Sequence, residues 1–429
     1  MGRGRVAVVG AGLAGLAAGV ELERRGFEVE IFERTRLLGG KATSLFVDGV
    51  EVDNGQHVHL ACCTAFVGLV EELGMASSLR TQRRFEALVF ARGRRPARLA
   101  AAPLPAPWHL LLSFAAYRHL PWSDKVRVGR ALAAARRPGG GGSFGAWLTA
   151  HGQGPRTRRE FWDPFFVPAL NAPLDEVSAE AGLMVLRTAF LGDAGAARFG
   201  YSTVPLARIA EAAAARVHAA HLRTGVLGLW PGRGRVEGVE LADGRRLAFD
   251  AVVAAVPPRR LARLLGDPPS FGVEGLERFQ SRAIVDVHLW YAEAELGFDF
   301  AAVLDSPVQW VFAKGGGYLA CSLSAAGSLV ERPERELVEL CDLELRAAVP
   351  ALRTARLVRG AATRDPEATF LPAPGLKRPG PATAAPNLAL AGAWTDTGWP
   401  ATMESAVRSG RAAAALLAGA PATREAAVG

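Results

Sequence analysis

Arg5–Glu33 reads RVAVVGAGLAGLAAGVELERRGFEVEIFE, and this stretch decides how the chain is understood. Val6–Val9 is a short, largely β-branched run that suits a buried parallel strand. Leu13–Arg25 is rich in Ala and Leu and predicts a helix stopped by Gly26, and Val29–Phe32 predicts a second buried strand. Between strand and helix stands Gly10-x-Gly12-x-x-Gly15. Gly10 permits the tight turn, Gly12 lets the backbone approach a pyrophosphate, and Gly15 allows close strand–helix packing. The helix start, at Leu13 and Ala14, points N–H donors at an anion. Glu33 ends the second strand, with Arg34 beside it, where a carboxylate accepts hydrogen bonds from both ribose hydroxyls. Strand, loop, helix and acid together predict a dinucleotide site, but the loop alone does not separate NAD from FAD.

Working outward, Gly39-Gly40-Lys41 supplies a second glycine turn with a basic side chain, placed to close over the pyrophosphate. A second block with sheet character runs from about Val226 to Val256, with Asp243-Gly244 as a hairpin turn and AVVAAVPP as a buried strand stopped by two prolines. A third block, NLALAGAWTDTGWPATMESAVRSGRAAAALLAG, reads as apolar strand, glycine-rich loop and helix, and brings backbone amides to the far end of the cofactor. One βαβ unit is too small for a domain. The pieces therefore predict a discontinuous nucleotide domain over 1–75, 205–265 and 380–429, with a second domain over 76–204 and 266–379.

Half of the 429 residues are hydrophobic, ample for a large core shared by more than one unit. The net charge is +8, yet only Lys41, Lys125, Lys314 and Lys377 among the fifty basic residues are lysine. That skew fits a GC-rich genome, or attraction to anionic lipid if the arginines share a face. Nucleic acid is not expected, because no dense basic run carries interleaved aromatics. Cys62, Cys63, Cys321 and Cys341 form no CxxC pair, so neither a metal site nor a disulfide framework is expected. Arg3 and Arg5 precede an apolar stretch that glycines break, and no run of about 20 apolar residues offers a membrane span. The expected location is cytoplasmic, with peripheral contact at the inner face of the membrane. That contact is suggested by residues 103–122, PLPAPWHLLLSFAAYRHLPW, which read as aromatic-rich helices flanked by Arg. The alternative for this segment, and for REFWDPFFVPALNAPL, is core or interdomain wall. The run Gly139–Gly142 reads as a flexible linker.

VAVVGAGLAGLAAGVELERRG, FER and LLGGKATS resemble the amine oxidase and phytoene desaturase superfamily of flavoproteins. Within it, DNGQHVHLACCTA, FWDPFFVPALNAP, SPVQWVFAKG and AGAWTDTGWPATMESAVRSG are similar to the hydroxysqualene dehydroxylases, also called squalene-associated FAD-dependent desaturases. The likeness runs from Val6 to about Ala415. It implies an α/β fold with a discontinuous Rossmann-like FAD-binding domain and a second, α+β substrate-binding domain. The FAD contacts it implies are Gly10, Gly12, Leu13, Ala14, Gly15, Glu33, Arg34, Gly39, Gly40, Lys41, Val226 at the adenine, and Gly392 opening the C-terminal flavin motif. Ala401, Thr402 and Met403 would lie near the isoalloxazine. Two departures stand out. Ala393 replaces the aspartate of the family's AGDW, and Ser405 replaces the glycine of MEGA. Losing one charge-assisted hydrogen bond costs about 1.5–3 kcal/mol of FAD affinity, and Asp396 is the neighbouring carboxylate.

The resemblance further implies reductive dehydroxylation of hydroxysqualene to squalene, a step toward hopanoids. The lost hydroxyl is allylic, so its protonation and departure as water leave a delocalised cation that a hydride from N5 of reduced flavin traps. His57 is the first choice for the acid, with Asp53 and Asp396 behind it. Structural roles compete for all of them, and a turn held by side-chain hydrogen bonds competes at Asp53 and Asn54. Gln56, Trp162, Phe165, Trp310 and Trp399 are the implied substrate contacts, while His59, Cys62 and Cys63 read as packing residues. The partner is a hydrophobic small molecule. No second dinucleotide fingerprint marks a resident NAD(P)H, so the external reductant is left unnamed. Two other readings compete: a carotenoid or polyene desaturase running hydride transfer the other way, and a non-redox prenyl-lipid carrier.

Overall fold

A computed structural model describes residues 4–47, 49–137, 140–292 and 294–419; residues 1–3, Gly139 of the glycine run and 420–429 of the last nucleotide segment lie outside the described residues. Five strands form a wholly parallel sheet in the order Ala219–His221, Glu28–Phe32, Arg5–Val9, Ala251–Ala254, Leu388–Leu390. Both faces are covered, which is why these strands read as unbroken apolar runs. Val6 and Val8 pack with Leu16, Ile209 and Val407 of the helices Leu13–Arg24, Leu206–Ala214 and Met403–Leu417. Ala7 and Val9 face the other way, against Val236, Val239 and Leu261. These come from a three-stranded antiparallel sheet, Val226–Pro231, Val236–Leu241 and Arg246–Ala248, and the helix Pro258–Leu265. The turn at Asp243-Gly244 is the hairpin expected, with Gly244 at φ +84°.

A seven-stranded sheet forms the other half. Its order is Arg356–Phe370, Ser281–Ala292, Tyr318–Leu323, Trp310–Gly315, Phe300–Leu304, Glu86–Ala91, Ala97–Ala100. Every pairing is antiparallel except Phe300–Leu304 with Glu86–Ala91. In SRAIVDVHLWYA the side chains alternate, as a two-faced strand requires. Val285, Val287, Leu289 and Tyr291 pack with Leu337, Cys341 and Leu345 of the helix Glu334–Ala348. Asp286, His288 and Trp290 take the opposite face.

That opposite face looks into an aromatic cluster supplied by the proline-rich segments. Here the helical expectation for 103–122 is corrected. The segment holds only the turn Trp108–Leu110 and the helix Leu111–Ala115 before Trp122–Ala134 begins. Pro103, Pro105 and Pro107 restrict the residues before them and remove backbone donors, which keeps 103–107 out of any helix. Asp163–Leu170 is a helix that contains Pro168. Pro168 has no N–H for the carbonyl four residues back, and the indole N–H of Trp310 takes that Pro164 carbonyl at 2.8 Å. The expected substrate contact Trp310 is thereby locked to the helix carrying Phe165.

Candidate active site

The first glycine loop is built by close backbone approach. Gly10 lies at φ +106° and a Cβ there would sit 2.5 Å from the Ala255 carbonyl oxygen, while one on Gly15 would sit 2.0 Å from that of Gly10. Gly12 differs. A Cβ there would meet only the Cα of Gly40, at 4.0 Å, so the space glycine leaves at this position is not filled by protein. Gly12 caps the helix Leu13–Arg24 without a side-chain hydrogen bond, and no acidic residue stands in its first turn. The positive end of the helix and its first N–H groups therefore face that space.

The second glycine turn stacks on the first. The Gly39 N–H donates to the Ala11 carbonyl at 2.8 Å, and a Cβ on Gly40, whose φ is +62°, would reach to 3.0 Å of the Gly12 Cα. Glu33 accepts from the N–H groups of Ala11 and Thr35, at 3.1 and 2.8 Å. The chain approaching Val226 runs alongside, with Thr224 donating to the Glu33 carbonyl. Arg34 is exposed. Lys41 does not turn toward the loop: its ammonium group reaches the Asp365 carboxylate and the Glu367 carbonyl on the strand Arg356–Phe370. Thr43, just beyond, keeps a buried hydroxyl with no hydrogen-bond partner. An open glycine cradle at a helix N-terminus and an orphaned buried hydroxyl beside the second turn both suit a diphosphate-linked cofactor.

The C-terminal loop is fixed against the same helix. Gly410 lets the two helices touch, since a Cβ there would stand 2.2 Å from the Ala14 carbonyl oxygen. Gly392, at φ +150°, donates its N–H to the Ser409 hydroxyl at 2.9 Å. The two departures from the family pattern meet here. The Ser405 hydroxyl donates to the Ala393 carbonyl at 2.9 Å and pairs with the Thr397 hydroxyl at 2.6 Å. Arg378 gathers the carbonyls of Trp394, Thr395 and Trp399. Burial lowers the pKa of this arginine despite the pull of Asp396. Sequence reasoning passed over Arg378, which sits in an unremarkable LKRPG. Asp396 itself is exposed, and among the described residues its carboxylate accepts from the N–H of Gly398, at 3.3 Å. Ala401, Thr402 and Met403 lead into the last helix, with the Thr402 hydroxyl accepting from the Ser405 N–H. Trp399 lies under the Arg408 guanidinium, 5.3 Å from its ring centre.

The loop Asp53–His57 reaches from this region to the seven-stranded sheet. Asp53 accepts from the Ser44 hydroxyl and the Leu206 N–H, at 2.8 and 2.9 Å, and so ties a hairpin to a helix start. Asn54 donates to the Lys41 carbonyl, and its own N–H bonds the Thr43 carbonyl. The Gln56 N–H donates to the carboxylate of Asp286 at 3.1 Å. His57 bonds the Gly55 carbonyl through Nδ1, and burial lowers its pKa, so its ring is neutral at pH 7. Asp286 was not anticipated. It is 3% exposed, and burial pushes its carboxyl up to about 7 against the Gln56 N–H and Ser322 hydroxyl, which favour the charged form.

Asp286 sits in an ordered row across the sheet. Trp310, Ser322, Asp286 and Thr363 are direct neighbours on four adjoining strands, and the next row is Phe312, Ala320, His288 and Ala361. Opposed residues share a face. The face is therefore aromatic on one side, polar on the other and lined by small side chains between. Trp310 meets Phe165 and Phe199, at 5.7 and 5.3 Å between ring centres. Phe165 in turn lines a cavity of about 770 Å³ with Phe85, Phe114, Phe161, Phe190 and Leu110. Its mouth carries Trp108, Leu111, Trp122 and Val126, each about half exposed or more. Trp162 backs the wall from within the core, with its indole N–H held by Gln153 at 2.9 Å.

The model of the family described as "Flavin containing amine oxidoreductase" matches residues 13–418. The hydroxysqualene dehydroxylase of Rhodopseudomonas palustris is 32% identical, covering 96% of this chain and 98% of its own. A zeta-carotene desaturase of Synechocystis is 25% identical over 96% of this chain and 97% of its own. Among solved structures, putrescine oxidase bound to putrescine superposes with a TM-score of 0.72 at 17% identity, covering 96% of this chain and 98% of that one. The cradle and these matches agree: the chain belongs to the flavin-containing amine oxidoreductase family and is an FAD-dependent oxidoreductase.

Proposed function

We propose that this enzyme reduces hydroxysqualene to squalene, with 1–75, 205–265 and 380–429 holding FAD and 76–204 and 266–379 holding the triterpene. The observation that carries this reading is an apolar cavity of about 770 Å³ whose Phe165 packs on Trp310, the aromatic end of the sheet row that holds Ser322, Asp286 and Thr363. A long isoprenoid needs the first part, and an allylic hydroxyl needs the second. The cavity size falls within the roughly 300–1,000 Å³ of sites that enclose small apolar ligands. When bound and reduced by an external donor, FAD supplies the hydride that replaces the hydroxyl. The chain's own residues do the rest. Phe165 and Trp310 hold the hydrocarbon and exclude water. His57, neutral and donating its Nδ1–H to the Gly55 carbonyl, leaves Nε2 to accept a hydrogen bond from the hydroxyl and has no proton to give. The engagement of Asp53 with Ser44 and Leu206, and the exposure of Asp396, give those carboxylates structural and surface roles.

Anaerobic incubation of flavin-loaded, chemically reduced enzyme with hydroxysqualene tests this, and squalene is the expected product. No squalene from protein with verified flavin refutes it. The similarity to zeta-carotene desaturases supports a second reading. Conversion of a polyene by the oxidised enzyme, with hydroxysqualene untouched, would establish that one instead.

A further inference from the structure

We infer that Asp286 is the acid that protonates the departing hydroxyl, an assignment that rests on the dehydroxylase reading above. Three observations place it there. Its carboxylate is clasped under the turn Gly55–Gln56, and a Cβ on Gly55 would lie 2.9 Å from its Oδ2 and 3.8 Å from the His57 ring. Asp286 and His57 therefore border one point. The same turn is tied through Asn54 to Lys41 and Thr43, next to the second glycine turn and the orphaned Thr43 hydroxyl. Lastly, Asp286 stands two strands from Trp310 in a single row, with only Ser322 between them, so the aromatic side of this face gives way to a carboxyl within two strands.

The step balances simply. The Asp286 O–H bond breaks as the proton bonds the hydroxyl oxygen. The C–O bond then breaks, water leaves, and the allylic cation takes a hydride from the dihydroflavin. The carboxylate left behind keeps the Gln56 N–H as a donor and regains its proton from solvent. Burial holds the acid ready at neutral pH, and the resulting negative charge stands beside the cation. The other groups facing this region are Asp53 and His57 on the loop, Lys314 and Tyr318 on the neighbouring strands, His288 beside it and Asp365 on the edge strand. Burial keeps His288 near 4, so its ring adds no charge at neutral pH, and burial lowers Lys314 while Asp53 pulls it back up.

The test uses the flavin-loaded enzyme and Asp286→Asn, which keeps the acceptor for Gln56. Squalene formation should fall about 10²–10⁴-fold in kcat with KM little changed. Wild-type activity with an equally active variant overturns the assignment and leaves the dehydroxylase reading standing; an inactive wild type refutes that reading instead. A second measurement does not need turnover. A C30 triterpene amine, carrying an ammonium where the hydroxyl stood, should bind wild type more tightly as pH rises through about 7. A flat binding profile overturns the assignment even if Asp286→Asn fails to fold. The stability of the folded protein gives a third readout. The folded state favours the protonated carboxyl, so its contribution is full at low pH and is lost as pH climbs toward about 7. Asp286→Asn should abolish that slope, and an unchanged slope counts against the buried acid.

Discussion

Three glycines of one motif do different physical work, and substitution separates them. Gly15→Ala drives a methyl group into the Gly10 carbonyl and should destabilise the fold itself, with or without cofactor. Gly12→Ala meets no protein atom closer than 4.0 Å. The cofactor-free variant should therefore melt within about 0.5 kcal/mol of wild type, while FAD affinity falls at least tenfold because the methyl group occupies the diphosphate's approach. Thermal melts beside flavin titration check both halves, and loss of stability without FAD in Gly12→Ala would mean the cradle is filled by protein. Ser405 offers the converse. Ser405→Gly restores the family residue but takes the donor from the Ala393 carbonyl and one of three partners from the Thr397 hydroxyl, which keeps Arg378 and the Trp399 N–H. Weaker flavin retention than wild type is expected, measured by the FAD released on gel filtration. A tighter complex would show that the serine is a defect rather than the loop's fastening.

The elements show which information is local. The glycine loop, its two strands and the Asp243-Gly244 hairpin were legible because the residues that make each turn are contiguous. Asp286 was not, although SRAIVDVHLW shows its alternation plainly. In one dimension Asp286 and His288 look like the wet face of a half-buried strand, and only packing by the loop Asp53–His57 and the aromatic cluster dries them. Arg378 was missed for the same reason, since the carbonyls it gathers belong to a loop about twenty residues away. Trp162, an expected substrate contact, lines the cavity with a buried ring held by Gln153. Glu404 illustrates long-range helix capping. Fully buried in the last helix, it accepts from the N–H groups of Ala65 and Phe66 at the start of Thr64–Glu72 and pairs with Arg408. Glu404→Ala leaves those two donors without their acceptor and should cost about 1.5–3 kcal/mol in urea denaturation. A cost below about 0.5 kcal/mol would mean that water replaces the carboxylate there.

At the scale of the whole molecule, the question is how an apolar ligand would reach the cavity. No helix among the described residues is long and apolar enough to cross a membrane. The cavity mouth is nevertheless ringed by exposed Trp108, Leu111, Leu112, Trp122 and Val126, and Leu112 and Trp122 are 66% and 67% exposed. Arg118, Arg130, Arg136 and Arg137 stand exposed around the same segments. Apolar side chains with exposed arginines on the same segments suit an anionic bilayer, where aromatic rings sit at headgroup depth and each arginine near the surface adds about 1 kcal/mol. Phe114 is not part of this surface: it turns inward against Phe161, at 5.1 Å, and lines the cavity. Replacing Trp108, Leu112 and Trp122 together with serine should leave the fold and bound flavin intact while reducing co-sedimentation with anionic liposomes. Wild-type binding should weaken with salt as well, because exposed arginines are screened beyond about 10 Å at 0.1 M ionic strength. Unchanged sedimentation of the triple variant would mean that this mouth does not meet the bilayer, and that an apolar substrate would have to enter by another path.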